Sequence, residues 1–242
     1  GINMDLENVY FSNLKKFDGK KLRRLKLSEI GQISGRAGRY LNDGSFGITG
    51  DCDKISSEEV ENLESHNFED IRSIYWRNNN LNFNNPESLL KSLDERPGEE
   101  WLRRIHECED EKVLKYLLKD FSKYKIKNND KELRLLWECC QIPDFVKKNY
   151  GHHIEVVSKV FEFLRSSKGQ ITSRYMKEQL SHLDKLEGNV DSISNRISNV
   201  RTWSYVSNKS NWVENQDYWI ERTKNLEDKL SERLHEELTK SF

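Results

Sequence analysis

The sequence lacks an apolar run of about 18 residues, the length that a membrane-spanning helix needs, and no signal-peptide pattern opens it. It also lacks a disulfide framework, because its four cysteines are few and scattered, which favours reduced thiols inside a cell. No repeat of fixed period emerges, which argues against a helical solenoid. These absences predict an intracellular protein without a membrane partner.

An excess of one charge is missing as well. The 242 residues carry a net charge of −1, with 35% hydrophobic and 33% charged residues. A chain of this length forms one large or two small domains and can bury roughly 70% of its unfolded surface. The composition suits a helical protein with well-solvated faces, and the chain as a whole is not a polyanion binder.

Positive charge is nevertheless concentrated in residues 15–39. Such a cluster predicts contact with phosphate, most simply the backbone of RNA at Lys20, Lys21, Arg23 and Arg24. A solvated loop is the equally weighted alternative for residues 15–26. The cluster sets nine basic residues against Asp18 and Glu29: Lys15, Lys16, Lys20, Lys21, Arg23, Arg24, Lys26, Arg36 and Arg39.

The segment 32–39 reads Q-I-S-G-R-A-G-R. If it is helical, Gln32, Arg36 and Arg39 stand at i, i+4 and i+7 and share one face. Two guanidinium forks on one rigid turn suit the oxygens of a transferring phosphoryl group. Gly35 and Gly38 would each cost about 1 kcal/mol relative to Ala inside a helix. A ligand pressed against the backbone is a candidate reason for keeping them.

This segment resembles motif VI of the superfamily 2 helicases, the arginine-finger motif of the second RecA-like domain. Its flanks agree, since residues 1–5 resemble the tail of motif V, and 8–11 and 45–50 resemble the neighbouring strands. Two further stretches resemble the helical C-terminal region of the Suv-three-like RNA helicases, known from mitochondria and related bacteria. They are residues 136–138 with 141–145, and residues 201–206.

The resemblance implies roles for six residues. Arg36 and Arg39 would reach the γ-phosphate of ATP held on the other RecA-like domain, and Gln32 would place the nucleotide or the attacking water. The nucleotide-binding residues that the resemblance implies are Gly35, Gly38 and Asn3.

The sequence contains no G-x-x-x-x-G-K-[ST] phosphate loop and no acidic magnesium-binding motif after a strand. By the family mechanism the chain alone cannot hydrolyse ATP, because arginine fingers need the lysine cradle and the metal. ATP with Mg²⁺ therefore belongs to the complete enzyme, and we expect the sequence to begin within a domain. The implied partners are RNA, the missing N-terminal RecA-like domain and, as an option, a nuclease. The implied location is the mitochondrion in a eukaryote or the cytoplasm in a bacterium.

The predicted fold is α+β and mainly α. Residues 1–98 would form the C-terminal part of RecA-like domain 2 with a connector, and 99–242 a helical domain. In the first part we predict strands at 9–11 and 46–49 around a helix capped by Ser28. Helices should then cover 57–64 and 87–93. From residue 99 onward helical patterns dominate, and the first apolar stripe is marked by Trp101, Leu102 and Ile105.

Two other groups of residues are candidate sites. Trp203 and Tyr205, beside Arg201, could stack on RNA bases, but aromatics in a helical stripe favour core packing. A metal site is not predicted, because the spacing of the candidate ligands fits no zinc pattern. Those ligands are His106, Cys108, Cys139, Cys140, His152 and His153.

A non-enzymatic helical module, binding protein or RNA and retaining a decayed helicase motif, is the alternative function. The sequence encoded upstream would discriminate between the two, because a phosphate-loop lysine there supports the helicase.

Overall fold

The computed structural model describes residues 6–18, 21–38, 42–119, 126 and 128–240. It is an α+β structure, about half helical, in which the strands form small two-stranded sheets. The predicted fold class is thus confirmed at this level. Contacts divide the chain into Gly1–Ser73 and Ile74–Phe242, so the first unit ends before the boundary that we predicted at residue 98.

The first unit contains the predicted strand-helix-strand arrangement. Strand β1 (Asn8–Phe11) pairs in parallel with β4 (Ser45–Ile48), and the connection between them includes α1 (Leu27–Ser34). Phe11, Leu14 and Ile30 are buried in its core. The expected basic loop is instead an antiparallel hairpin of β2 (Lys15–Phe17) and β3 (Leu22–Arg24).

Local capping chemistry explains where the helices of this unit begin. Helix α1 starts one residue after Lys26, because the Glu29 carboxylate accepts a hydrogen bond from the Lys26 backbone N–H at 2.8 Å. The predicted cap, Ser28, therefore lies inside the first turn. Helix α2 (Ser57–Glu64) has the predicted start, with Ser56 and Glu59 forming a reciprocal capping box.

The second unit opens on a parallel pair of strands, β5 (Ile74–Trp76) and β6 (Leu102–Arg104). The prediction of a helical stripe at Trp101, Leu102 and Ile105 is wrong. Its backbone groups are used in the ladder: Ile74 N–H donates to Trp101 O at 3.0 Å and Ile105 N–H donates to Trp76 O at 2.9 Å. A strand partner distant in the sequence overrides the local helical spacing.

Seven helices among the described residues complete the unit, and the predicted first turn at Pro86 is confirmed. The helices are α3 (Pro86–Leu93), α4 (Glu109–Lys119), α5 (Asp130–Cys140), α6 (Tyr150–Leu164), α7 (Ser173–Ser181), α8 (Val190–Ser207) and α9 (Gln216–Lys240).

Helices α8 and α9 supply much of the apolar core, with Ile193, Val200, Leu226 and Leu230 fully or almost fully buried. Trp203 is 4% exposed and packs edge-on against Tyr175, with ring centroids 5.8 Å apart. The core interpretation of Trp203 is therefore confirmed.

The four cysteines are free thiols, and Cys108 is the one that is only half-buried. No helix in the described part of the chain combines the length and the apolar character needed to cross a membrane.

Candidate functional site

The segment 32–39 that resembles motif VI, hereafter the motif-like segment, is described from Gln32 to Gly38, where it is the end of a helix followed by a turn. Helix α1 ends at Ser34, after which Arg36 N–H donates to Ile33 O at 3.2 Å and Ala37 N–H to Ser34 O at 2.9 Å. These three-residue bonds form a tighter turn than an α-helix. Gln32 lies in the helix and Arg36 lies in the turn after it, so the prediction that these two residues share a helical face is wrong. Arg39 and Asn3 lie outside the described residues.

Neither glycine of the motif-like segment needs a ligand to explain it, and Gly38 has a conformational reason. Gly38 has a φ of +64°, and a Cβ there would stand 2.3 Å from Gly44 N and 2.4 Å from Asn42 O. Only glycine fits this left-handed position against a neighbouring backbone. Gly35 follows the last helical residue, so it bears no helix-interior cost. The suggested offset by a bound ligand is not required.

The turn is fixed to the start of the sheet. Gly38 N–H donates to Leu6 O at 2.8 Å, and Leu6 and Ala37 form a parallel bridge. Gln32 and Arg36 are both exposed. Within the described ranges no hydrogen bond joins their side chains, and no carboxylate pairs with Arg36. Among the described residues, the Arg36 guanidinium therefore has no hydrogen-bond or ion-pair partner, and it extends from a short turn whose backbone is anchored.

Beside this turn lies an open depression of about 1000 Å³ that includes Gly38, Asn8 and Ser45. Glu7 and Asp43 also line it, so its own charge does not favour a bare phosphate. A phosphate that meets Arg36 would have to be held mainly by groups elsewhere.

Strands β2 and β3 with their connection carry most of the basic cluster and are hereafter called the basic hairpin. Most cations among its described residues are already paired. Arg23 donates from both terminal nitrogens to Glu29 at 2.8 Å each, and Lys16 Nζ lies 2.6 Å from the same carboxylate. Hydrogen bonds from Arg23, then Lys16 and the Lys26 backbone, hold the pKa of Glu29 well below its usual range. Glu29 thus neutralises part of this surface.

A second acid, Glu59, pairs with the other arginine of β3. Arg24 Nη2 lies 3.1 Å from Glu59 and donates to Lys54 O at 3.2 Å. Lys21 stands exposed in the hairpin turn, where its backbone N–H donates to Asp18 at 2.9 Å. Lys20 lies outside the described residues. Of the four predicted RNA contacts, Arg23 and Arg24 are engaged within the chain, and Lys21 faces solvent.

Sequence reasoning missed the tip of this hairpin. Phe17 and Leu22 pair across it and are 66% and 65% exposed. The signal was present, because Phe17 ends one short basic run and Leu22 stands inside the next, but residues assigned to a loop are not expected to share a face. Glu29 was also missed as a pairing centre, since its spacing from Arg23 and Lys16 follows no helical or strand period.

Short stretches of the chain are similar to known RNA helicases. It is 42% identical over 65 residues, 27% of the chain, to the mitochondrial ATP-dependent RNA helicase SUV3 of Oryza sativa subsp. japonica. It is 50% identical over 40 residues, 16% of the chain, to the mitochondrial DExH-box ATP-dependent RNA helicase DExH16 of Arabidopsis thaliana. It is 33% identical over 99 residues, 38% of the chain, to the exosome RNA helicase MTR4 of Homo sapiens.

These matches are local. They span 11%, 7% and 10% of the lengths of those three relatives. No protein-family model matches the chain, and no solved structure matches it. The shared stretches support a relationship of this chain to the DExH/D-box RNA helicases.

Proposed function

We propose that this chain is the C-terminal portion of an ATP-dependent RNA helicase that unwinds or translocates on RNA. Arg36 and Arg39 would serve as arginine fingers toward ATP held on a RecA-like domain outside these residues. The observation that carries the proposal is Arg36, which is exposed on an anchored turn and has no acidic partner among the described residues. The local similarity to RNA helicases is consistent with it.

The chemistry follows from this placement. A guanidinium offers several fixed donors and stays charged, so it suits the negative charge that spreads over a transferring phosphoryl group. The anchored turn fixes the backbone that carries Arg36, and the side chain would be ordered by the phosphoryl oxygens that it meets. Gln32, in the last turn of α1, would orient the nucleotide or the attacking water. Magnesium and the phosphate-loop lysine would belong to the other domain.

The first prediction concerns the chain alone. We expect the 242-residue protein to show no ATPase above background, because half of the active site lies elsewhere. The full-length enzyme should hydrolyse ATP under the same conditions. Steady-state phosphate release measures both. Turnover by the chain alone that disappears in Arg36→Ala would reveal a second nucleotide site and contradict the proposal.

RNA is the proposed substrate, and the basic hairpin is a proposed contact. We expect weak, salt-dependent binding of single-stranded RNA by the chain. Replacing Lys20, Lys21, Arg23 and Arg24 with Ala should lower the slope of log K against log salt by roughly 0.7 for each phosphate that the hairpin no longer neutralises. Fluorescence anisotropy over a salt series measures the slope. An unchanged slope would indicate that these four side chains are hydrated and contact no RNA phosphate.

Glu29→Gln is a matched variant for which we expect stronger rather than weaker RNA binding. It removes the charge that pairs with Arg23 and Lys16 and retains a side chain of similar size. RNA affinity should therefore rise if the hairpin meets phosphate. Equal affinity in Glu29→Gln and wild type would also argue against an RNA contact at this hairpin.

A further inference from the structure

A groove runs between α7 and the first turns of α9. Its volume is about 860 Å³, and its walls carry Arg174 and Lys177 from α7 and Tyr218, Trp219 and Arg222 from α9. These residues lie far along the chain from the motif-like segment and the basic hairpin. The walls combine cations with an exposed aromatic ring.

Hydrogen bonds and an ion pair fix the two ends of the groove. At one end the Ser173 hydroxyl accepts from Asn215 Nδ2 at 3.0 Å and from Trp219 Nε1 at 3.3 Å. At the other end Arg222 pairs with Asp184. The walls are therefore held together before any ligand arrives, which lowers the ordering cost of binding.

Tyr218 provides a flat surface within this frame. Its side chain is 57% exposed, and its ring meets Trp219 edge-on, with centroids 4.8 Å apart and an interplanar angle of 79°. Trp219 is itself buried, so this contact restricts the Tyr218 ring. An oriented, exposed aromatic face is a stacking surface for a nucleobase.

Two cations stand beside that face. Lys177 is exposed, and among the described residues it has no acidic partner. Arg174 pairs with Glu178 at 3.0 Å, but the arginine side chain is 88% exposed, and such a surface pair contributes little and exchanges readily with solvent. Asp184, the acid that lines the groove, is paired with Arg222. The wall on α7 is thus free to meet phosphate.

We propose that this groove binds single-stranded RNA, with one base stacked on Tyr218 and neighbouring phosphates on Arg174 and Lys177. The assignment rests on the proposed function in that RNA is the substrate, but it does not involve ATP or Arg36. An acidic peptide could use the two cations, but the negative charge of a carboxylate does not favour contact with the negative face of the Tyr218 ring. The combination of ring and cations therefore favours a nucleic acid.

The test is anisotropy with a short, labelled, single-stranded oligouridine and the 242-residue chain, without nucleotide. Tyr218→Ala should weaken binding about 5- to 150-fold, the range expected when one base can no longer stack. Tyr218→Phe should bind like wild type because the ring is retained. Lys177→Glu should weaken binding and lower the salt slope by roughly 0.7 if Lys177 meets one phosphate.

Tyr75→Ala and Lys224→Glu are matched controls, because both residues are exposed and outside the groove, and they should change affinity little. Circular dichroism and urea unfolding establish that each variant is folded. The proposed RNA site would be overturned if the wild-type chain does not bind oligouridine. It would also be overturned if the groove variants bind it as tightly as the wild type does. A groove that instead retains an acidic peptide would overturn it in favour of a protein partner. The ATPase of Arg36 variants tests the helicase proposal separately, so the two can fail independently.

Discussion

Arg36→Ala in the full-length protein is expected, under the proposed function, to lower ATP turnover by on the order of 10³–10⁵, the range for arginine fingers in phosphoryl-transfer sites. Arg39→Ala should have a comparable effect. The effect should fall on turnover rather than on RNA affinity, because the proposed contact forms with charge that develops during phosphoryl transfer. Folding should be intact, since Arg36 is exposed. Steady-state ATPase and nucleotide-free RNA binding measure the two effects.

Lysine variants separate charge from geometry. Arg36→Lys and Arg39→Lys keep a positive charge but lack the bidentate fork, so both should remain severely impaired. Arg103→Ala is a suitable control, because this arginine is also exposed but lies on β6. Near-normal turnover in all Arg36 and Arg39 variants would remove the segment from the mechanism and favour the interaction-module alternative.

The second large effect is expected on stability, at Glu111. This carboxylate is 1% exposed and lies between two guanidiniums, 3.3 Å from Arg77 Nη2 and 3.2 Å from Arg104 Nη2. Glu111→Ala should lower the free energy of unfolding by roughly 1.5–3 kcal/mol, the range for losing hydrogen bonds between charged groups, because Arg77 and Arg104 lose their shared acid but keep Asp110 and Asp94 as partners. Urea denaturation measures the change.

Two further variants test the cause of this destabilisation. Glu109→Ala alters an exposed carboxylate of the same helix and should cost much less. Burial raises the pKa of Glu111, so its charged form is disfavoured in the folded state, and Glu111→Gln should cost less than Glu111→Ala. That penalty disappears as pH falls through the raised folded-state pKa, so acidification should stabilise wild type relative to Glu111→Gln. Equal destabilisation in Glu109→Ala and Glu111→Ala would contradict the burial argument.

The sequence predicted those elements whose signals are local. Helix α3 has Pro86 at its first position and Asn85 as its cap, and α2 has Ser56 with Glu59 three residues later. Such pairs lie within one turn, and their geometry follows from spacing alone. The same applies to the apolar stripes of α5, α6 and α9.

The errors occurred where a distant partner decides the structure. Leu102 has helical spacing to its neighbours, but its backbone pairs with β5. Arg23 appeared available for RNA, but it meets Glu29, six residues away along a strand, a turn and a helix start. In the motif-like segment, the helix ends at Ser34, and the backbone that follows pairs with Leu6, which is about 30 residues away along the chain. None of these contacts follows a period that can be counted along the chain.

The pairing of β1 with β4 has a consequence for how the first unit opens and closes. The paired residues Asn8 and Ser45 are 37 residues apart in the sequence. Closing that loop costs conformational entropy, and the hydrogen bonds of the ladder form only after the loop is closed. The bridge that holds the Arg36 turn, Leu6 to Ala37, extends the same pairing. Fraying of β1 would therefore release the turn, and the position of the guanidinium is tied to the local opening equilibrium of one four-residue strand.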